Sequence, residues 1–163
     1  AAWMSSSEWQ QALADALGRE SPCCMCAETL PWRCHRRLIA DLLAARGNIV
    51  NMSSTAALAG HPWTAAYSAS KGGVLALTYT LAIEYCAQGL RANAVCPGSV
   101  TTPIHSAFKL PAGADRKLVY RIMPPDGVFR GPEAAASVVA FLASDDAAHI
   151  NGTEIRVDGG TLS

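Results

Sequence analysis

The sequence predicts a three-layer α/β fold, a parallel sheet with helices on both faces. Three observations predict it. Short apolar runs alternate with longer stretches of helical period from residue 23 onward, glycine or proline punctuates most changes, and half of the 163 residues are apolar while 16% are charged. Alternation of this kind gives parallel strands joined by right-handed crossovers. A chain of this length buries about two thirds of the surface its unfolded form exposes, so a core forms without a metal or disulfide staple.

Ser5 to Ser7 precede a helix expected from about Glu8 to Leu17, where Trp9, Leu13, Ala16 and Leu17 recur at helical spacing and Gly18 ends it. An apolar strand is expected at about Cys23 to Ala27. A helix over Pro31 to Arg46 places Leu38, Ile39, Leu42 and Leu43 on one face, with Gly47 as terminator. Asn48 to Met52 then reads as a buried strand. From Ala65 to Ala87, Val74, Leu75, Leu77, Leu81, Ala82 and Tyr85 keep a helical period, after which Gly89 breaks the chain. Arg91 to Cys96 is the next strand, closed by Pro97-Gly98. Residues 101 to 130 are polar, proline-rich and weakly periodic, which suits a lid or substrate loop. Pro132 opens a helix whose buried stripe is Val138, Val139, Phe141 and Leu142, and Glu154 to Val157 is the last strand.

Thirteen basic residues balance thirteen acidic ones, so the long-range field that a nucleic acid or an anionic membrane attracts is missing. Neither partner is expected. No apolar run reaches the ~18 residues of a membrane span, and the first ten residues lack the layout of a secretory signal. Of six cysteines, Cys23, Cys24, Cys26 and Cys34 are bunched, while Cys86 and Cys96 stand alone. That usage suits a reducing compartment, and a cytoplasmic location is expected.

The chemistry-bearing pattern begins with Tyr67 and Lys71, four apart and so on one helix face. A phenol is a poor acid or base at neutral pH, but a neighbouring ammonium stabilises the phenolate. A tyrosine so placed can give a proton to a carbonyl oxygen, or take one from an alcohol, while hydride moves at carbon. Ser54, at the end of the preceding strand, can offer its hydroxyl to the same oxygen. Alone, Tyr-x-x-x-Lys is a weak signal, more simply read as a surface pair one helical turn apart.

Four runs accompany it in order: Gly47 to Ser54, Tyr67 to Gly73, Arg91 to Gly98, and Asn151 to Gly160. Together they resemble the catalytic, C-terminal half of the short-chain dehydrogenase/reductase family over residues 47 to 163. The resemblance implies a partial Rossmann-like sheet, NAD or NADP as cofactor, and a small-molecule carbonyl or alcohol as substrate. It implies that Ser54 orients the substrate carbonyl, that Tyr67 is the general acid or base, and that Lys71 stabilises the phenolate and holds the nicotinamide ribose. Pro97, Gly98, Val100 and Thr102 would line the nicotinamide, Val100 through its backbone and Thr102 near the carboxamide. Residues 103 to 130 would form the variable substrate loop.

The family's Gly-x-x-x-Gly-x-Gly turn is found nowhere in the 163 residues. Residues 1 to 46 resemble instead the C-terminal part of a bacterial domain family of unknown function, through Met25-Cys26-Ala27-Glu28 and Cys34-His35-Arg36. The chain therefore reads as two incomplete domains joined near Ala45-Arg46-Gly47 and folded as one unit. Two functions follow: an NAD(P)-dependent oxidoreductase impaired by lack of the cofactor-binding half, or a catalytically inactive fusion product acting as a folded interaction module. An edge left at the strand near Cys23 to Ala27 points to a homo-oligomer. Cys23-x-x-Cys26 with Cys34 and His35 invites a zinc reading, but the second pair lacks a chelating spacing and a strand points Cys23 and Cys24 to opposite faces. No metal is therefore expected, and these read as apolar strand cysteines; a reactive Cys34 thiolate at its helix start is a stronger reading than a metal site. His61 and His105 read as loop residues.

Overall fold

The structure, a computed structural model, describes residues 23–24, 47–102 and 110–163. The helices expected at 8–17 and 31–46, the remainder of the strand at 25–27, Cys26, Cys34, His35 and His105 lie outside the described residues.

Seven elements carry the fold: β1 (Cys23–Cys24), β2 (Asn48–Met52), α1 (Ala65–Glu84), β3 (Arg91–Pro97), α2 (Lys117–Tyr120), α3 (Glu133–Ala143) and β4 (Glu154–Val157). The strands form one sheet in the order β1-β2-β3-β4, and every pair is parallel. The central register runs from Asn48 opposite Arg91 to Met52 opposite Val95.

Side chains alternate across a strand, and here the alternation assigns the helices to opposite faces. Ile49 and Ala92 pack with Leu81, Ala82 and Leu90 on the α1 side. Their neighbours Val50 and Val95 pack with Ala135, Leu142 and Ala147 on the α3 side. The expected three-layer arrangement is thus present. Ile49, Val50, Val95 and Leu142 are fully buried, so the core lies on both sides of β2 and β3.

Most buried polar side chains within these layers are hydrogen-bonded, with Asn48 Oδ1 an exception. Asn51 Nδ2 donates to Thr78 Oγ1 at 2.8 Å, joining β2 to α1. Asn93 Nδ2 donates to the Ile150 carbonyl at 2.8 Å. The Arg91 guanidinium donates to the carbonyls of Leu142, Ser144 and Ile150, which satisfies acceptors left over where α3 ends.

The helices differ from their sequence expectation in instructive ways. α1 stops at Glu84, and the chain tightens into a 3-10 turn at Cys86–Gln88 before Gly89, whose φ of 85° is the left-handed conformation that ends it. On α3, Leu142 is fully buried but Phe141 is 41% exposed. Ala135, Val138 and Leu142 share a face at helical spacing, and Phe141 lies about 100° away from Leu142 around the axis. The segment after β3 is also less irregular than its composition suggests. It contains α2 and folds back through a parallel bridge between Val100 and Arg130, with Thr101 N donating to the Arg130 carbonyl at 2.8 Å.

Because all four strands run the same way, their carboxyl ends share one edge of the molecule. Ser53-Ser54, Gly98 and Asp158 follow β2, β3 and β4 there. Ligands of open parallel sheets bind at such an edge.

Candidate active site

Ser53 continues the β2 ladder by one bond, its N donating to the Val95 carbonyl at 2.8 Å. Ser54 then leaves the sheet in extended conformation and caps the 3-10 turn Thr55–Ala57, its Oγ accepting from Ala56 N at 3.1 Å. A hydroxyl that accepts in this way keeps its own hydrogen to donate outward.

Tyr67 lies in the first turn of α1 and is 43% exposed, so its phenol reaches the surface that Ser54 borders. Lys71 follows one turn later. Its Nζ is 5.8 Å from the Tyr67 ring centroid, within cation–π range. The same Nζ donates to the Met52 carbonyl at 3.0 Å, and Ser53 Oγ donates to the Lys71 carbonyl at 2.9 Å. These reciprocal bonds fasten the start of α1 to the end of β2 and fix the ammonium beside the ring.

A cavity of about 670 Å³ opens here, lined by Ser54, Tyr67, Pro97, Gly98, Val100 and Thr102 together with His61, Trp63 and Ile122. Lys71 is not among its lining residues. Every other expected site residue meets at this cavity, and Lys71 stands behind Tyr67. Gly98 is required by close approach: a Cβ there would lie 2.7 Å from Asp158 Cβ and 2.9 Å from its Cα. Only glycine lets the ends of β3 and β4 come this near, with Gly98 N donating to the Val157 carbonyl at 3.1 Å.

Three contributors escape sequence reasoning. Ser53 positions α1, as described. Trp63 has φ 59°, a strained conformation for a large side chain, and stands at the cavity wall just before α1. His61, expected to be an ordinary loop residue, also lines the cavity; burial lowers its pKa, and its Nε2 is buried without a hydrogen-bond partner. Loop conformation carries no periodic signal, so neither role is visible in the sequence.

Behind the site, Tyr79 donates its hydroxyl hydrogen to Glu154 Oε2 at 2.5 Å. Burial, and then the Glu154 carboxylate, push the Tyr79 phenol up to about 12. The buried Cys96 thiol is likewise pushed up, chiefly by burial. Among the described residues no group of acidic, histidine and cysteine side chains is arranged to hold a metal ion. No described helix is long and apolar enough to cross a membrane.

The family model described as enoyl-(acyl carrier protein) reductase matches residues 30–161, a stretch containing both walls of this cavity. The chain belongs to the short-chain dehydrogenase/reductase family. This family of NAD(P)-dependent oxidoreductases includes the 3-oxoacyl-[acyl-carrier-protein] reductase FabG of Thermotoga maritima. That relative is 43% identical over 116 residues, covering 71% of this chain and 46% of the relative. Among solved structures, NAD+-bound xylitol dehydrogenase superposes with a TM-score of 0.68 at 29% identity, covering 77% of this chain and 54% of that one. A protein described as a 2-deoxy-D-gluconate 3-dehydrogenase from Agrobacterium tumefaciens, with bound NADP, gives 0.67 at 33% identity, covering 78% of this chain and 52% of that one. The chain spans about half the length of the curated relatives it matches. Residues 1–43 match a different family, the domain of unknown function DUF488, and the two matches overlap at 30–43.

Proposed function

We propose that the chain is an oxidoreductase-type catalytic unit for reversible reduction of a small carbonyl compound, with Ser54, Tyr67 and Lys71 as its reacting machinery. The observation that carries this reading is the meeting of Ser54, Tyr67 and the Pro97–Thr102 segment at one cavity, with an ammonium fixed beside the Tyr67 ring.

The cavity suits the nicotinamide end of a dinucleotide. Its volume falls within the range of small-molecule sites, Gly98 leaves backbone open to close approach, and hydroxyls stand along an otherwise apolar wall. Tyr67, Lys71, Pro97, Gly98, Val100 and Thr102 would hold that end, and NAD or NADP would supply the hydride. The remaining work belongs to the chain. Ser54 donates its free hydroxyl hydrogen to the substrate oxygen and orients the carbonyl. Tyr67 delivers a proton to that oxygen as it becomes an alkoxide, or removes one in the reverse direction. Lys71 places positive charge where it stabilises the negative charge developing on the phenol oxygen. Trp63 and Ile122 give the cavity an apolar part of its wall.

No glycine-rich pyrophosphate turn is present in the sequence. A dinucleotide held mainly through its nicotinamide end forfeits several kcal/mol of contacts, so binding to the 163-residue chain is about millimolar or weaker. The match of residues 1–43 to a second family supports the competing reading, a chimeric, inactive product that serves as a folded interaction module. Turnover separates the two. With cofactor at millimolar concentration, carbonyl reduction should be measurable, and Tyr67→Phe should lower it by about two orders of magnitude or more, with Lys71→Ala close behind. Equal rates in wild type and Tyr67→Phe would overturn the assignment.

A further inference from the structure

A second cavity of about 720 Å³ adjoins the first, and His61 belongs to the lining of both. Its other walls include Arg121 just after α2, Arg156 on β4 and Leu162 near the end of the sequence. Two arginines therefore border this space together with Thr161 and Ser163, and no aspartate or glutamate side chain is among its lining residues. Arg156 Nη1 donates to the Leu162 carbonyl at 3.0 Å, which holds the side chain while leaving further N–H donors unused. The nearby Asp158 carboxylate is already engaged by the backbone N–H groups of Gly160 and Leu162. Arg121 makes no side-chain hydrogen bond or ion pair among the described residues.

His61 lies between the two spaces, and its Nε2 is buried without a hydrogen-bond partner. Burial favours the neutral form of its ring.

Resting on the reading above, we propose that this second cavity is the subsite for a carboxylate tail of the substrate, so that the chain acts on carbonyl or alcohol compounds bearing a distal carboxylate. The reacting oxygen lies at Ser54 and Tyr67, the body of the molecule passes His61, and the carboxylate meets Arg121 and Arg156. A guanidinium presents parallel N–H donors to a carboxylate, and such charge-assisted pairs are the strong members of the hydrogen-bond series.

The test is equilibrium binding, independent of cofactor and turnover. The full ¹⁵N-labelled chain is titrated with glutarate, and separately with glutaramide as its uncharged counterpart. Saturable shifts are expected with glutarate at the amides of Gly60, His61 and Leu162, and none with glutaramide. Arg121→Gln should weaken glutarate binding by about tenfold or more, the equivalent of one charge-assisted contact. Because Arg121 is exposed and its guanidinium has no partner among the described residues, this variant keeps the fold, which its amide dispersion checks. Tyr67→Phe should bind glutarate as wild type does, so failure of the catalytic assignment is distinguishable from failure of the subsite. Equal binding of glutarate and glutaramide, equal affinity in wild type and Arg121→Gln, or no saturable shift at these amides would overturn the proposal.

Discussion

Tyr67 and Tyr79 sit on the same helix three turns apart and are placed in opposite circumstances. Tyr67 opens onto the cavity beside an ammonium, whereas Tyr79 faces the carboxylate of Glu154. Burial disfavours the Tyr79 phenolate, and the Glu154 carboxylate beside it adds to this, so the phenol is raised from 10.0 to about 12. A folded-state value above the unfolded one means the native chain holds this proton more tightly. The stabilisation is complete below about pH 10 and is lost as pH rises through 12. Absorbance titration at alkaline pH should therefore show a latest-ionising tyrosine that Tyr79→Phe removes; an unchanged last step would contradict the pairing. At this scale the placement of Tyr67 and Lys71 side by side is legible in the sequence because a spacing of four puts both on one helix face, and that of Ser54 because it follows an apolar strand. Ser53, His61 and Trp63 are not. Their roles come from bonds and dihedrals in the turns on either side of α1, where nothing repeats.

Among the elements, β2 and β3 are the most readable, since an apolar run between a glycine or arginine and a turn leaves little choice. The burial of each side chain then follows from the period of two. The end of α1 is less readable because Tyr85 continues the apolar period although the helical bonding has already changed to 3-10. Phe141 shows the complementary limit: an apolar side chain within a buried-looking stripe can face outward when the stripe is narrower than the run. Gly98 owes its identity to a contact between two strands far apart in sequence. Gly98→Ala should cost about 1–3 kcal/mol in chemical denaturation, since a Cβ cannot fit against Asp158 without moving one strand end. A variant as stable as wild type would show that β3 and β4 part easily at the cavity mouth.

For the whole molecule, β1 and β4 are the outer strands of the described sheet, and Ile83 on α1 is 80% exposed. Outer strand edges of the described sheet and an exposed apolar helix position favour association with another copy. Light scattering on the purified chain should give a dimer or larger assembly, and a monomer mass would contradict it. The parallel sheet and its two helical layers were readable from alternation alone, whereas the pairing of partners across edges depends on surfaces that periodicity does not describe. The central claim is that Tyr67 supplies the proton that accompanies hydride transfer at this cavity. Its most direct measurement uses cofactor deuterated at the transferred position, at millimolar concentration with a carbonyl substrate bearing a carboxylate tail. Mass spectrometry should find deuterated alcohol with wild type, and its amount formed per unit time should fall by about two orders of magnitude with Tyr67→Phe. Equal amounts of deuterated alcohol from the two proteins, or none from wild type, would contradict it.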